Sequence, residues 1–420
     1  MVIEVVPLPL PPSADPTKLA GFGVEVKGVK VASLTDEELG QIQELLYKHD
    51  VLLFRNCDLS PEQQYALAKV VELLHGVEAH VFVSLMLSAA AYSVQVFDPM
   101  TEHYGHGNNK IGKNSILNPL LTTIPGVPQV QLIGNGTIYN HEGIAEAQLK
   151  HPSHKTFHKT HVSAEDEAAG VTRFNRWHMD AALYELSPPK VTALYALRVP
   201  QGPPQVCRYD DGTGDELQVP PAATAFVSGK TMFEVLPPEL KSVAVRTKVR
   251  YAPHPFVWMS TAGAVPTGLG LESDGLEMPY EKLPPWDEAS VKTYPVLWKN
   301  PVTEALHLQA HPCAVSELII SPLPQGSPRK DALYPDGAYI KDLKTVRDLL
   351  YKLQRPGIAP SLVYPHDWRD KDLVVFHNRG VMHSVTGALT SDQVRVYHQC
   401  NLAASDEPVG PSDADIKEWA

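Results

Sequence analysis

The chain has 420 residues, 43% of them hydrophobic and 20% charged, enough to bury one large core or two ordinary ones. A formal net charge of −12, with no basic stripe to offset it, excludes a nucleic-acid-binding surface. The four cysteines (Cys57, Cys207, Cys313 and Cys400) have no CxxC spacing, which excludes a zinc knuckle or a disulfide framework and fits a reduced, cytoplasmic compartment.

The opening MVIEVVPLPLPPSADP lacks the basic stretch and cleavage site of a secretory signal. Residues 35–48 predict a helix: Thr35 and Glu38 have capping-box spacing, and Leu39, Ile42, Leu45 and Leu46 form an apolar stripe. VLLFRN (51–56) reads as a buried strand, and SPEQQYALAK (60–69) as a second helix with Ser60 as N-cap and Pro61 in its first turn. HVFVSLMLSAAAYSVQVF (80–97) carries no charge apart from its leading histidine. It is barely long enough to span a bilayer and has no flanking basic cluster, which argues against a membrane span and leaves a buried helix or a foreign insert. Further on, short apolar runs stand between turns: QVQLIG, KVTALYALRV, AATAFVSG, DLVVFHN and QVRVYHQCN. With 38 prolines in the chain, so many short strands predict a mainly β fold with flanking helices, an antiparallel barrel or sandwich. The stretch from about 230 to 370 mixes helix and proline-rich loop and reads as a long insertion.

Chemistry concentrates in RWHMDAALYEL (176–186). On an extended strand, positions i and i+2 point the same way, so His178 and Asp180 can converge on one point. A catalytic metal needs a third ligand. HPSHKTFHKTH (151–161) interleaves its histidines with lysines that repel a cation and reads as a solvated loop. His383, where FHNRGVMH turns from one strand into the next, is the better candidate. Two histidines and a carboxylate leave three metal positions open, the pattern of non-haem Fe(II) chemistry with O2. In QVRVYHQCN, alternation puts Arg395, Tyr397, Gln399 and Asn401 on one face. Buried polar groups need partners, and a ligand is the natural one. Arg395 could hold a carboxylate in bidentate fashion. Gln129 and Gln131 repeat the i, i+2 spacing on an earlier strand. RYDDGTGDEL (208–217) has the wrong acidic spacing for a calcium loop and predicts a hairpin turn at Asp211–Gly212.

These features resemble the TauD/TfdA family of Fe(II)- and 2-oxoglutarate-dependent dioxygenases. The resemblance runs from FGVEVKGVKVASLTDEEL and HDVLLFRNCDLSPEQQYALA through HMD and SPPKVTALYAL to FHNRGVMH and RVYHQ. It implies one dioxygenase domain over residues 1–420 with a double-stranded β-helix (jelly-roll) core. It further implies Fe(II) on His178, Asp180 and His383, and 2-oxoglutarate on Arg395, with O2 consumed and succinate and CO2 released. Two positions depart from the family pattern. Val206 stands near a threonine that assists the 2-oxoglutarate carboxylate, and Gln399 stands where sulfonate-oxidising members carry a second arginine. An amide in place of a fixed positive charge favours a neutral or weakly acidic, hydrogen-bonding substrate.

Within the family, FDPMTEHYGHG, PQVQ, LKHPSHKTFH, RYDDGTG and NRGVMHS are similar to the fungal xanthine dioxygenases. That likeness implies substrate contacts from Gln129, Gln131, Lys150, Gln399 and Asn401, and hydroxylation of xanthine at C8 to urate. The partner is then a small molecule, with no nucleic acid and no membrane. An oxygenase of an amino acid or other small secondary metabolite is the competing expectation, although only Lys150 offers it a further cation. A non-catalytic binding protein or a zinc hydrolase would have no use for Arg395 beside the three ligands. In the resembling family the helix ending at Lys69 runs directly into the turn at 96–107. The segment Val70–Gln95 is therefore an anomalous apolar insert, and because every Val codon begins with GT and one Gln codon ends in AG, its boundaries are compatible with a retained intron. It is expected to pack poorly and to lie outside the barrel.

Overall fold

The computed structural model describes residues 3–73, 122–272, 275–390 and 392–420. Helix α1 (Asp36–His49) begins on the expected capping box: the Thr35 side chain accepts from the Glu38 amide, and the Glu38 carboxylate accepts from the Thr35 amide at 2.9 Å. Its stripe of Leu39, Ile42 and Leu46 is buried. Helix α2 (Pro61–Leu73) starts on a Ser60/Gln63 box and continues past Lys69, with Val71 buried in the core. The helix therefore runs into the first turn of the anomalous insert. Residues 74–95 of that insert, and the turn at 96–107, lie outside the described residues. No helix among the described residues is long and apolar enough to cross a membrane.

Twelve strands position the site. They are β1 (Glu4–Pro7), β2 (Val24–Lys27), β3 (Val51–Phe54), β4 (Thr122–Ile124), β5 (Val127–His141), β6 (Ile144–Leu149), β7 (Val191–Arg198), β8 (Thr224–Ser228), β9 (Tyr364–His366), β10 (Leu373–His377), β11 (Val381–Val385) and β12 (Arg395–Asn401). The large sheet runs β1-β2-β3-β10-β7-β12-β5-β4, with β6 paired to β5, and is antiparallel except at β2–β3. A three-stranded sheet, β9-β8-β11, lies against it.

Alternation decides what each face meets. Leu52 and Phe54, Ala193 and Tyr195, Leu373 and Val375, and Val396 and Cys400 turn outward and pack under α1 and α2. The residues between them (Val51, Leu53, Leu194, Ala196, Val374, Phe376 and Tyr397) face Phe226, Tyr364 and Val381 of the small sheet. The chain is thus mostly sheet, with helices covering one outer face.

The stretch 230–370 is more ordered than a mix of helix and loop. It carries its own antiparallel sheet, with Thr247–Tyr251 between Thr293–Pro295 and Val315–Ile320 and Ala338–Ile340 beyond. It also carries an amphipathic helix, α3 (Leu343–Gln354). Its far end supplies β9. The hairpin Gln205–Arg208/Glu216–Val219 forms around a loop at 209–215 in which Gly212 has φ +87°. The acidic residues of this loop bind protein: Asp211 and Asp215 both take Arg355, at 2.5 and 2.6 Å, tying the hairpin to the 230–370 unit.

Candidate active site

His178 lies on an extended segment that pairs through its backbone with His383 on β11. His178 donates to the His383 carbonyl at 2.9 Å, and His383 donates back at 2.8 Å. This bridge sets the two imidazoles side by side, tilted by 47° with centroids 4.2 Å apart. Phe376 and Phe226 wall in the His383 ring. Asp180 closes the set: its Oδ1 is 3.8 Å from His178 Nε2 and 3.6 Å from His383 Nε2. All three donor atoms lie within 4.8 Å of one another.

The surrounding hydrogen bonds leave the right atoms free. Nδ1 of His178 is 2.8 Å from the Arg176 carbonyl, an acceptor only, so Nδ1 carries the proton and Nε2 presents a lone pair. The Asp180 Oδ2 accepts from Thr192 at 2.8 Å and from Gln399 Nε2 at 3.1 Å, leaving Oδ1 toward the histidines. Asn378, in the turn before β11, clamps the same segment: its Oδ1 accepts from the Asp180 amide and its Nδ2 donates to the Asp180 carbonyl, both at 2.8 Å. Burial, followed by the neighbouring His178, pushes the His383 imidazole down to about 3, so it is neutral and able to donate a lone pair. Burial opposes ionisation of Asp180. The nearby His383 and His178 and hydrogen bonds from Thr192 and Asn401 outweigh it and hold the carboxyl below its usual range. Two imidazoles and one carboxylate, facing inward with a cavity on their open side, suit a divalent metal with vacant positions.

That cavity has a volume of about 710 Å³. Arg395 enters it from β12, 3% exposed, with its guanidinium carbon 3.9 Å from the centroid of the Tyr397 ring. No carboxylate among the described residues pairs with it. Gln131, Lys150, Gln399 and Asn401 line the same cavity, Lys150 at its exposed rim. Gln399 and Asn401 are partly committed, because each already hydrogen-bonds the Asp180 carboxylate, and Asn401 keeps its Oδ1 free.

Gln129 departs from expectation. It is half-buried and does not line the cavity, and it falls where the β4–β5 register shifts, Thr123 facing Gln131 and Ile124 facing Val127. Val206 also lies off the cavity lining.

Residues 151–161 are not a solvated loop. His154 and His158 are buried, the latter against the Phe174 carbonyl at 2.7 Å, and His151 lines the cavity beside Arg395. Four further lining residues carried a weaker signal or none: Arg176, Phe157, Phe256 and His311. Arg176 stands at i−2 from His178, so the same period of two points to it. Phe256 and His311 come from the 230–370 unit, with nothing local to announce them.

Residues 9–99 and 131–400 match the model of the taurine catabolism dioxygenase TauD, TfdA family. The chain belongs to this dioxygenase family. The family's alpha-ketoglutarate-dependent xanthine dioxygenase of Schizosaccharomyces pombe is 46% identical over 99% of this chain and 91% of its own. The alpha-ketoglutarate-dependent xanthine dioxygenase of Neurospora crassa is also 46% identical, over 94% and 87%. Among solved structures, a taurine dioxygenase from Burkholderia xenovorans superposes with a TM-score of 0.50, covering 97% of this chain and 93% of that one at 15% identity, a likeness of fold.

Proposed function

We propose that this dioxygenase hydroxylates xanthine at C8 to give urate. One O2 and one 2-oxoglutarate are consumed, and succinate and CO2 are released. The observation that carries this reading is the metal-ready His178/Asp180/His383 set opening onto a cavity that holds an unpaired buried guanidinium and a row of amides. The near half-identity to xanthine dioxygenases supports the choice of substrate. The two facing sheets are read as a double-stranded β-helix, and the four free, buried cysteines fit a cytoplasmic location.

His178 Nε2, His383 Nε2 and Asp180 Oδ1 would hold Fe(II), and the donor set fits it: two imidazoles oriented through their Nε2, an ionised carboxylate and a saturated Oδ2. Fe(II), when bound, supplies the oxidative decarboxylation of the keto acid and the hydroxylation that follows. Everything else is the work of side chains. Arg395 binds the far carboxylate of 2-oxoglutarate through its planar fork. Gln131 and Asn401 present amides to the lactam and ring N–H groups of the purine, and Lys150 guards the rim. Phe157, Phe256 and Met259 give the chamber apolar walls that exclude water.

The test is 2-oxoglutarate consumption with Fe(II), with and without xanthine. Xanthine should stimulate succinate formation in step with urate, and a wild-type enzyme indifferent to xanthine would overturn the assignment.

A further inference from the structure

Five arginines are buried among the described residues, and four of them have an evident use for their charge. Arg173 pairs with Asp210, and Arg347 with Glu277. Arg246 spreads its donors over the carbonyls of Ser242, Ser321, Leu333 and Tyr334. Arg395 faces the place read above as the keto-acid site. Arg176 is different. It is 5% exposed and lines the cavity two residues before His178. Its Nη2 donates to the Ala262 carbonyl at 3.0 Å, and its guanidinium lies 5.3 Å from the centre of the Phe157 ring. Its Nε and Nη1 have no hydrogen-bond partner, and no carboxylate among the described residues neutralises it. A desolvated cation with two idle donors is costly unless an anion completes it, and the cavity is the route by which one can arrive.

We propose that Arg176 is the counter-ion of the substrate, so that the chain takes its planar heterocycle as an anion. The proposal rests on the cavity being the substrate chamber, as read above. The amide Gln399 removes positive charge from the β12 wall, and Arg176, on the segment leading to His178, restores it to the same cavity. An oxidised purine is a weak N–H acid whose anion spreads charge over a ring nitrogen and the adjacent carbonyl oxygen. These two neighbouring acceptors match a guanidinium fork better than they match an ammonium. Phe157, already under the guanidinium, offers the ring a face on which to stack. Gln131 and Asn401 remain to read the other edges.

The experiment measures equilibrium binding by calorimetry for the wild type, Arg176→Gln and Arg176→Lys. The ligands are 2-oxoglutarate, xanthine and an N-methylated xanthine whose acidic ring N–H groups are blocked. The wild type should prefer xanthine over the neutral analogue by roughly 10- to 100-fold, the range of a charge-assisted hydrogen bond. Arg176→Gln should lose that preference while keeping 2-oxoglutarate affinity and thermal midpoint, and Arg176→Lys should recover part of it. A preference that survives in Arg176→Gln is steric and overturns the proposal. A parallel loss of 2-oxoglutarate affinity overturns it too, by marking Arg176 as structural. Xanthine that binds the wild type without stimulating turnover would instead count against the proposed reaction, leaving the charge comparison intact.

Discussion

At the scale of single residues, the set His178, Asp180 and His383 has no spare member. Alanine at any of the three should abolish Fe(II)-dependent succinate formation, and residual activity in one variant would remove that residue from the set. Thr192 gives a finer test. Its hydroxyl holds the Asp180 Oδ2, so Thr192→Val should leave the fold intact but let the carboxylate swing. Fe(II) affinity should fall by roughly 10- to 100-fold, as for other residues that orient a metal ligand, and titration of iron into the apoprotein would measure it. Unchanged affinity would mean that Gln399 and Asn401 suffice to hold Asp180.

At the scale of elements, the turn between β10 and β11 carries His383 to its place and has little tolerance. A Cβ on Gly380 would fall 2.2 Å from His377 Nδ1 and 2.4 Å from Asp50 Oδ1, both buried side chains. Neither can retreat into solvent, so the backbone of the turn must move instead. Gly380→Ala is therefore expected to destabilise the protein by about 1–3 kcal/mol, the usual cost of overpacking. It should also weaken iron binding, because the displaced turn leads directly into β11. Denaturant melts of the metal-free protein, paired with iron titration, separate the two effects. A variant with wild-type values in both would mean that the turn is looser than its packing suggests.

At the scale of the whole molecule, buried neutral histidines set an acid limit. Burial, as the leading cause, holds His154 and His158 down at about 4 and His398 at about 3. Unfolding releases each to an ordinary value near 6.5, so between about pH 6 and pH 4 the unfolded chain binds more protons than the folded one. Stability must then rise with pH across that window and fall on acidification. Each histidine contributes about 1.4 kcal/mol per pH unit, or about 4 kcal/mol per unit for the three together. By pH 5 that removes about 6 kcal/mol, and by pH 4 about 10, so against a total of about 5–15 kcal/mol for a typical domain the chain is expected to lose much of its stability by pH 5. Urea melts of the metal-free protein from pH 7 to pH 5 would show it. A flat profile would mean that these histidines are reached by water.

What could be read along the chain was local. The capping box at Thr35 and the N-cap at Ser60 hold because they involve residues three apart on one helix. The convergence of His178 with Asp180, and the shared face of Arg395, Gln399 and Asn401, follow from the two-residue repeat of an extended strand. The HxD pair and the distant NRxxxH also pointed to the family and its metal chemistry. What stands opposite a side chain has no such period, and only the tertiary structure decided it. The bridge that lays His383 against His178 joins residues from distant parts of the chain, and of Gln129 and Gln131 only the second lines the cavity. Gln399 proved to touch Asp180, and the 230–370 unit reaches in to wall the cavity with Phe256 and His311. Arg176, a buried cation, proved to line the same cavity as Gln399. A sequence specifies which way a strand residue points, whereas its partner, and hence its charge balance, depends on which distant segment folds across from it.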